Sequence, residues 1–195
     1  MIHAAAKKIY WEGLKVFREI YSAYLRLFHK GLGTLGKLPR PGRVLFVCHG
    51  NICRSAFAEV YFRHQTLHYQ QLRHTNVASA GLKTTAGKPA NETAIRIAAE
   101  MGIDLSGHQT QCVTPELLDK SDIIFVFEKW HREGIRRQFP SHRHKCVYLG
   151  WLHSTHPTRH IPDPYNKDES TFRETFRFIQ NAIDQMIRFY EGEED

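Results

Sequence analysis

This chain has few cysteines and no long apolar runs, and each shortage removes a class of protein. Cysteine occurs four times in 195 residues, at Cys48, Cys53, Cys112 and Cys146. That does not suggest the disulfide framework of a secreted domain, and a reducing cytoplasm is the expected setting. The stretch 7–30 is patterned for a helix, but charges interrupt it well short of the twenty or so apolar residues that cross a bilayer. The same charges spoil it as the apolar core of a signal peptide. No internal repeat and no low-complexity tract is present. His142, His144, His153, His156 and His160 lie close together, yet none has a neighbouring Cys or acid at a ligand-like spacing, so no metal and no cofactor are expected.

Acidic residues are scarce in one place only. Residues 1–40 hold eight Lys or Arg against two Glu, while residues 41–195 hold nineteen against eighteen Asp or Glu. The body is nearly neutral and carries no basic stripe on a recognisable nucleic-acid module, so nucleic acid is not an expected partner. Within the basic extension, Tyr10, Leu14, Phe17, Tyr21, Tyr24 and Phe28 recur every three or four residues and share one helical face. Such a helix over 1–30 can pack on the body, pair with a second copy, or lie peripherally on an anionic membrane surface. Packing or pairing is favoured, because aromatic stripes are usually core and Glu12 and Glu19 weaken the membrane reading. Residues 31–42, rich in Gly and Pro, read as a linker.

The most informative stretch follows. Arg43-Val44-Leu45-Phe46-Val47 is the apolar run of a strand covered on both faces. Residues 56–62 suit a helix, and Cys48-His49-Gly50-Asn51-Ile52-Cys53-Arg54-Ser55 is the turn between them. Such a turn aims backbone N–H groups and a helix dipole at one point, where an anion sits. Cys48 and Arg54 are placed to bring a sulfur beneath a phosphorus and a planar cation along two of its oxygens. The amides and dipole favour the Cys48 thiolate, and Ser55 can hydrogen-bond the sulfur. Gly50 admits close backbone approach, and Asn51 tolerates a left-handed conformation. Read singly, Cys48 and Cys53 would be buried thiols and Arg54 a surface charge; it is their concentration in one turn that points to phosphate chemistry.

Further strands are predicted over 75–81, 123–127 and 145–149. Helices are predicted over 92–101, from Thr114-Pro115-Glu116, over about 130–139, and over 171–190. In the helix over 92–101, Ala94, Ile95, Ala98 and Met101 are expected inward. Alternating strands and helices imply an α/β fold, an open four-stranded parallel sheet with helices on both faces. A phosphate ester also needs its leaving oxygen protonated. Asp163, stiffened by Pro162 and Pro164, is the candidate acid, although Asp between prolines serves an ordinary turn as readily.

The Cys-x-Gly-Asn-x-Cys-Arg-Ser pattern at 48–55 resembles the signature of the low-molecular-weight protein tyrosine phosphatases. The resemblance extends to Ser79-Ala80-Gly81, to Gly102–His108 and to Ile161-Pro162-Asp163-Pro164-Tyr165. It implies the flavodoxin-like fold of that family over 43–190, with 191–195 left as an acidic tail. It also implies a metal-independent protein-tyrosine phosphatase with Cys48 as nucleophile, Arg54 as phosphate cation and Asp163 as general acid. His49, Gly50, Asn51, Ile52, Cys53 and Ser55 then cradle the phosphate, Tyr165 walls the mouth, and Ser79 and His108 support Asn51 and Ser55. Phe127-Glu128-Lys129-Trp130-His131 looks most like the bacterial branch associated with tyrosine autokinases of polysaccharide export, which makes such a kinase a candidate substrate. Oxidation could join Cys48 to Cys53. Two other readings stay open: a thiol-dependent arsenate reductase on the same loop, for which Cys112 is the nearby extra thiol, and an adaptor recruited through the N-terminal helix.

Overall fold

The computed structural model describes residue 35 and residues 40–192. The helix read over 7–30 and the last residues of the acidic tail lie outside the described residues. Four parallel strands, β1 (Arg43–Cys48), β2 (Asn76–Gly81), β3 (Ile123–Val126) and β4 (Cys146–Tyr148), form one sheet in the order β2-β1-β3-β4. All four residues of β3 are buried, as are the last five of β1. Successive strand residues face opposite ways, so burial without alternation means that both faces of the sheet are covered.

The helices are α1 (Arg54–Thr66), α2 (Glu92–Glu100), α3 (Pro115–Asp119), α4 (Lys129–Gln138) and α5 (Glu169–Glu191). Their boundaries have local causes. Thr114 caps α3 by accepting from the Leu117 N–H, with Pro115 at the first helical position. Gly102, at φ 77°, takes the left-handed turn just beyond α2. The α5 helix begins two residues before the predicted Thr171, because Asp168 accepts the Thr171 N–H at 2.9 Å and draws Glu169 and Ser170 into the first turn. The last strand is shorter than predicted, since Pro140–Lys145 forms a 3-10 turn that runs up to Cys146.

The core lies between the sheet and these helices. Phe46 stacks on Phe125 within the sheet, and Phe57 of α1 stacks on Phe176 of α5 with ring centroids 4.0 Å apart. Phe172, Phe176, Ile179, Ile183, Met186 and Ile187 form the buried stripe of α5. In α2 the inward set is Ala94, Ile97 and Ala98; Ile95 and Met101, expected inward, are only half-buried. Leu35 is helical and fully buried in the core, so the segment read as a linker contributes a packing residue. No helix among the described residues is long and apolar enough to cross a membrane.

The chain runs from β1 to β2 on one side and then returns to β3 on the other. The carboxyl end of β1 is therefore the topological switch point, where open α/β sheets form their ligand crevice. Cys48 is the last residue of β1 and Arg54 the first of α1.

Candidate active site

The turn 48–53 is held by its carbonyls. Cys48 O accepts from the Leu82 N–H at 3.0 Å, His49 O from the Lys83 N–H at 2.9 Å, and Ile52 O from the Asn91 N–H at 2.9 Å. His108 Nε2 lies 2.7 Å from Asn51 O. With four carbonyls fastened outward, the loop amides are left to face inward, and the Asn51 N–H points at Cys48 Sγ at 3.3 Å. The α1 helix has no side-chain cap and no acid in its first turn, so its positive end is unscreened there.

Asn51, at φ 58°, is the left-handed residue of the loop, whereas Gly50 has no positive φ. The glycine demanded by close approach is Gly81 at the end of β2, where a Cβ would stand 2.8 Å from His49 O. The sequence places Gly81 at the end of a predicted strand and within a resemblance motif, and assigns it no contact with the loop.

A directed hydrogen-bond chain runs beneath the loop. Asn51 Oδ1 accepts the Gln111 N–H at 2.9 Å, which fixes the amide so that Nδ2 donates to Ser55 Oγ at 2.9 Å and to Ser79 Oγ at 2.8 Å. Ser79 in turn donates to Glu59. Because Ser55 Oγ already accepts from Asn51, its own proton is free to point at Cys48 Sγ, 2.9 Å away. Asn51, Ser55 and Ser79 are fully buried, and a network with every member satisfied is rigid.

Arg54 is 1% exposed, and its charge is met on two sides. Its Nη1 donates to Glu128 Oε1 at 2.8 Å and to Ile161 O at 3.0 Å, and its Nη2 donates to Asp163 Oδ2 at 2.6 Å. Arg54 Nε is buried and has no hydrogen-bond partner. Guanidinium groups grip oxyanions through paired donors, so a phosphate that takes Nε and Nη2 together would satisfy the orphan and displace Asp163 from Nη2.

Asp163 is brought to the site by a loop anchored to β3's end at Ile161 and turned on its own carboxyl group. The Ile161 N–H reaches Phe127 O at 2.8 Å, and Asp163 Oδ1 accepts the Tyr165 N–H at 3.2 Å. A cleft of about 250 Å³ is lined by Cys48, His49, Gly50, Ile52, Cys53, Arg54, Lys83, Thr84, Lys88, Asp163 and Tyr165. Cys48, His49, Gly50, Ile52, Cys53, Arg54, Asp163 and Tyr165 thus lie in the cleft wall, and Asn51, Ser55, Ser79 and His108 in the network beneath it. Burial first, and then the neighbouring Cys48, pushes the Cys53 thiol well above the ordinary range. Cys112 donates to Thr84 O at 3.2 Å, and Cys146 lies in β4.

Sequence reasoning gave no role to Glu128, Trp130, Lys83, Thr84 and Lys88. Glu128 follows directly on the apolar run of β3, and a charge at the carboxyl end of a buried strand was a signal for it. Trp130 donates its indole N–H to Glu128 and packs its ring against His49, with centroids 4.9 Å apart. His131 is fully buried with both ring nitrogens unpartnered; burial, followed by the Arg54 charge, holds its pKa down at about 2.

The same fold occurs among known proteins. The low molecular weight phosphotyrosine protein phosphatase family matches residues 43–193. The low molecular weight protein-tyrosine-phosphatase Wzb of Escherichia coli K12 is 34% identical over 152 residues, which span 77% of this chain and 97% of that protein. The crystal structure of the tyrosine phosphatase AmsI of Erwinia amylovora superposes with a TM-score of 0.68 at 34% identity, covering 75% of this chain and 91% of that one. The YwlE arginine phosphatase of Geobacillus stearothermophilus superposes with a TM-score of 0.69 at 26% identity, covering 77% and 94%. With its family match spanning the sheet, the loop at Cys48 and the loop at Asp163, this chain belongs to the low molecular weight phosphotyrosine protein phosphatases.

Proposed function

We propose that the protein hydrolyses phosphotyrosine in a protein substrate through a phosphocysteine at Cys48. The observation that carries this reading is the convergence of Cys48 Sγ, the inward amides, the orphaned Nε of Arg54 and the Asp163 carboxylate on one cleft. The Cys48 thiolate attacks phosphorus as the phosphorus–oxygen bond to tyrosine breaks, and Asp163, entering this step as the neutral acid, gives its proton to the departing oxygen and becomes the carboxylate. Arg54 and the loop amides hold the three equatorial oxygens throughout, where charge is spread in the transition state. Water then attacks the phosphocysteine, Asp163 takes its proton, and phosphate leaves as the sulfur regains its electron pair. The Ser55 hydroxyl, already aimed at the sulfur, stabilises it as that leaving group.

Tyrosine is favoured as the leaving group by Tyr165, exposed at the cleft wall where it can stack on a phenyl ring. Relatives named as tyrosine phosphatases match at higher identity than the arginine phosphatase. The substrate we infer is a bacterial tyrosine kinase of polysaccharide export, on the resemblance of residues 127–131 and the likeness to Wzb and AmsI. The setting we infer is the cytoplasm, with residues 7–30 packing, pairing or touching a membrane.

Turnover of three matched peptides bearing phosphotyrosine, phosphoserine or phosphoarginine tests the reading. Phosphotyrosine should be hydrolysed with at least tenfold higher kcat/KM than the others. Preference for phosphoarginine would reassign the leaving group, and thiol-dependent reduction of arsenate exceeding phosphatase turnover would replace the reaction.

A further inference from the structure

The near-neutral body conceals an uneven distribution of charge. Residues 129–145, which comprise α4 and the 3-10 turn after it, hold six Lys or Arg against one Glu; the rest of 41–195 holds thirteen against seventeen Asp or Glu. The single acid, Glu133, is already paired with Arg136 at 2.8 Å. Lys129 and Arg137 are exposed and stand in no ion pair among the described residues.

These two cations line a groove. Its walls are Lys129, Trp130, Glu133, Arg137 and Gln138, with Gly134 among them. The positions fall in two adjacent rows of α4, spaced four apart, so the groove follows the helix axis. Two contacts connect it to the catalytic cleft. Trp130, 43% exposed, packs against His49, which lines the cleft. A Cβ on Gly134 would stand 2.8 Å from the Leu82 side chain, and the next two residues, Lys83 and Thr84, line the cleft as well. Bare backbone at Gly134 is what brings α4 against this loop.

We propose that the α4 groove docks an acidic segment of the substrate chain next to its phosphotyrosine. This rests on the phosphatase reading above and names the class of sequence that the same site prefers. Charge complementarity selects the occupant, because Lys129 and Arg137, in no ion pair among the described residues and outnumbering the one groove acid, Glu133, whose charge they also feel, border a groove that neighbours a cleft built for an anion. From Trp130 to Gln138 the helix rises about 12 Å, the span of roughly four residues of extended peptide. Asp or Glu within that reach would meet Lys129 and Arg137, with the Trp130 ring beside the peptide backbone.

The test uses the full chain and three phosphotyrosyl peptides of equal length, flanked by Glu, Gln or Lys. At low salt the Glu peptide should show roughly tenfold higher kcat/KM than the Gln peptide, an advantage that shrinks toward parity at high ionic strength because exposed charges are screened. A variant carrying Lys129→Glu and Arg137→Glu should lose that preference and turn over the Lys peptide better than the parent does, while hydrolysing para-nitrophenyl phosphate at the parent's rate. Equal kcat/KM for Glu and Gln peptides in the parent protein would overturn the proposal, as would a preference that survives the charge reversal. Vesicles of anionic lipid that bind the parent but not the variant, with no peptide preference, would assign the face to a membrane instead and overturn it too. Failure of all phosphotyrosyl peptides would strike the catalytic reading itself, a result separable from loss of preference alone.

Discussion

The floor and the rim of the cleft are built by different rules. On the floor, Asn51, Ser55 and Ser79 are fully buried, and each hydrogen bond has its direction fixed by the next. At the rim, the Asp163 side chain is 40% exposed, and Tyr165 and Trp130 are the large exposed aromatics beside the cleft. A rigid floor suits charge that develops in a transition state, because nothing need reorganise at the moment of reaction. An exposed rim suits recognition, where partners differ. Arg54 joins the two regions: it is buried like the floor, yet one of its hydrogen bonds ends on Asp163 at the rim.

Groups that touch the reacting atoms should cost most when lost, whether they come from the floor or from the rim. Cys48→Ser removes the nucleophile and should lower turnover by on the order of 10⁴ or more. Calorimetry with inorganic phosphate should still show binding, since the amides and Arg54 remain. Asp163→Ala should cost about 10² to 10⁴ in kcat on phosphotyrosine. The loss should be much smaller for phosphocysteine formation from an aryl phosphate with a good leaving group, measured as a burst; equal losses on both substrates would remove Asp163 from the acid role. Arg54→Lys keeps the charge but not the fork, and a fall of about 10² to 10³ in kcat/KM is expected.

Smaller effects separate the scaffold from the chemistry. Gly81→Ala drives a methyl group against His49 O and should destabilise the fold by about 1–3 kcal/mol. Thermal unfolding would register this, and an unchanged Tm would mean that the loop can move away. The last effect is seen only on acidification. His131 is neutral in the folded protein down to about pH 2, while an unfolded His takes its proton near 6.5. The unfolded state therefore binds more protons below about 6.5, and stability falls as pH drops, by up to about 1.4 kcal/mol per unit. His131→Phe should flatten Tm against pH between about 6.5 and 4, and a slope identical to the parent's would deny His131 that part.

Most of the floor was legible because it is contiguous: strand, turn and helix follow one another from Arg43 to Thr66, so pattern and chemistry could be read together. Ser79, 28 residues from Asn51, entered only through the resemblance. In the sheet, β1, β3 and β4 were legible as short apolar runs, and β2 by its place before a turn. The rim was not, because its parts meet only in three dimensions. Glu128 reaches Arg54 from 74 residues away and Asp163 from 109. Of these, Asp163 is legible through its prolines and the resemblance, while Glu128 stands in the sequence analysis only within the resemblance of residues 127–131, with no contact to Arg54 assigned. In α2 the expected face is present, with Ala94 and Ala98 buried and Ile95 and Met101 half-buried against the core, and the fully buried Ile97 is the position the pattern did not single out. Short helices with few apolar residues leave their phase weakly determined.

The central claim is that the Cys48 sulfur carries the phosphoryl group between the two halves of the reaction. Mixing the Asp163→Ala variant with para-nitrophenyl phosphate, whose good leaving group spares the first step while loss of the base slows the second, quenching within the first turnover and locating the phosphorus by mass spectrometry and phosphorus NMR would test it most directly. A sulfur-bound phosphoryl group on Cys48, formed in step with release of para-nitrophenol, is the predicted result. Phosphorus on any other side chain, or full turnover with Cys48 never modified, would contradict the account.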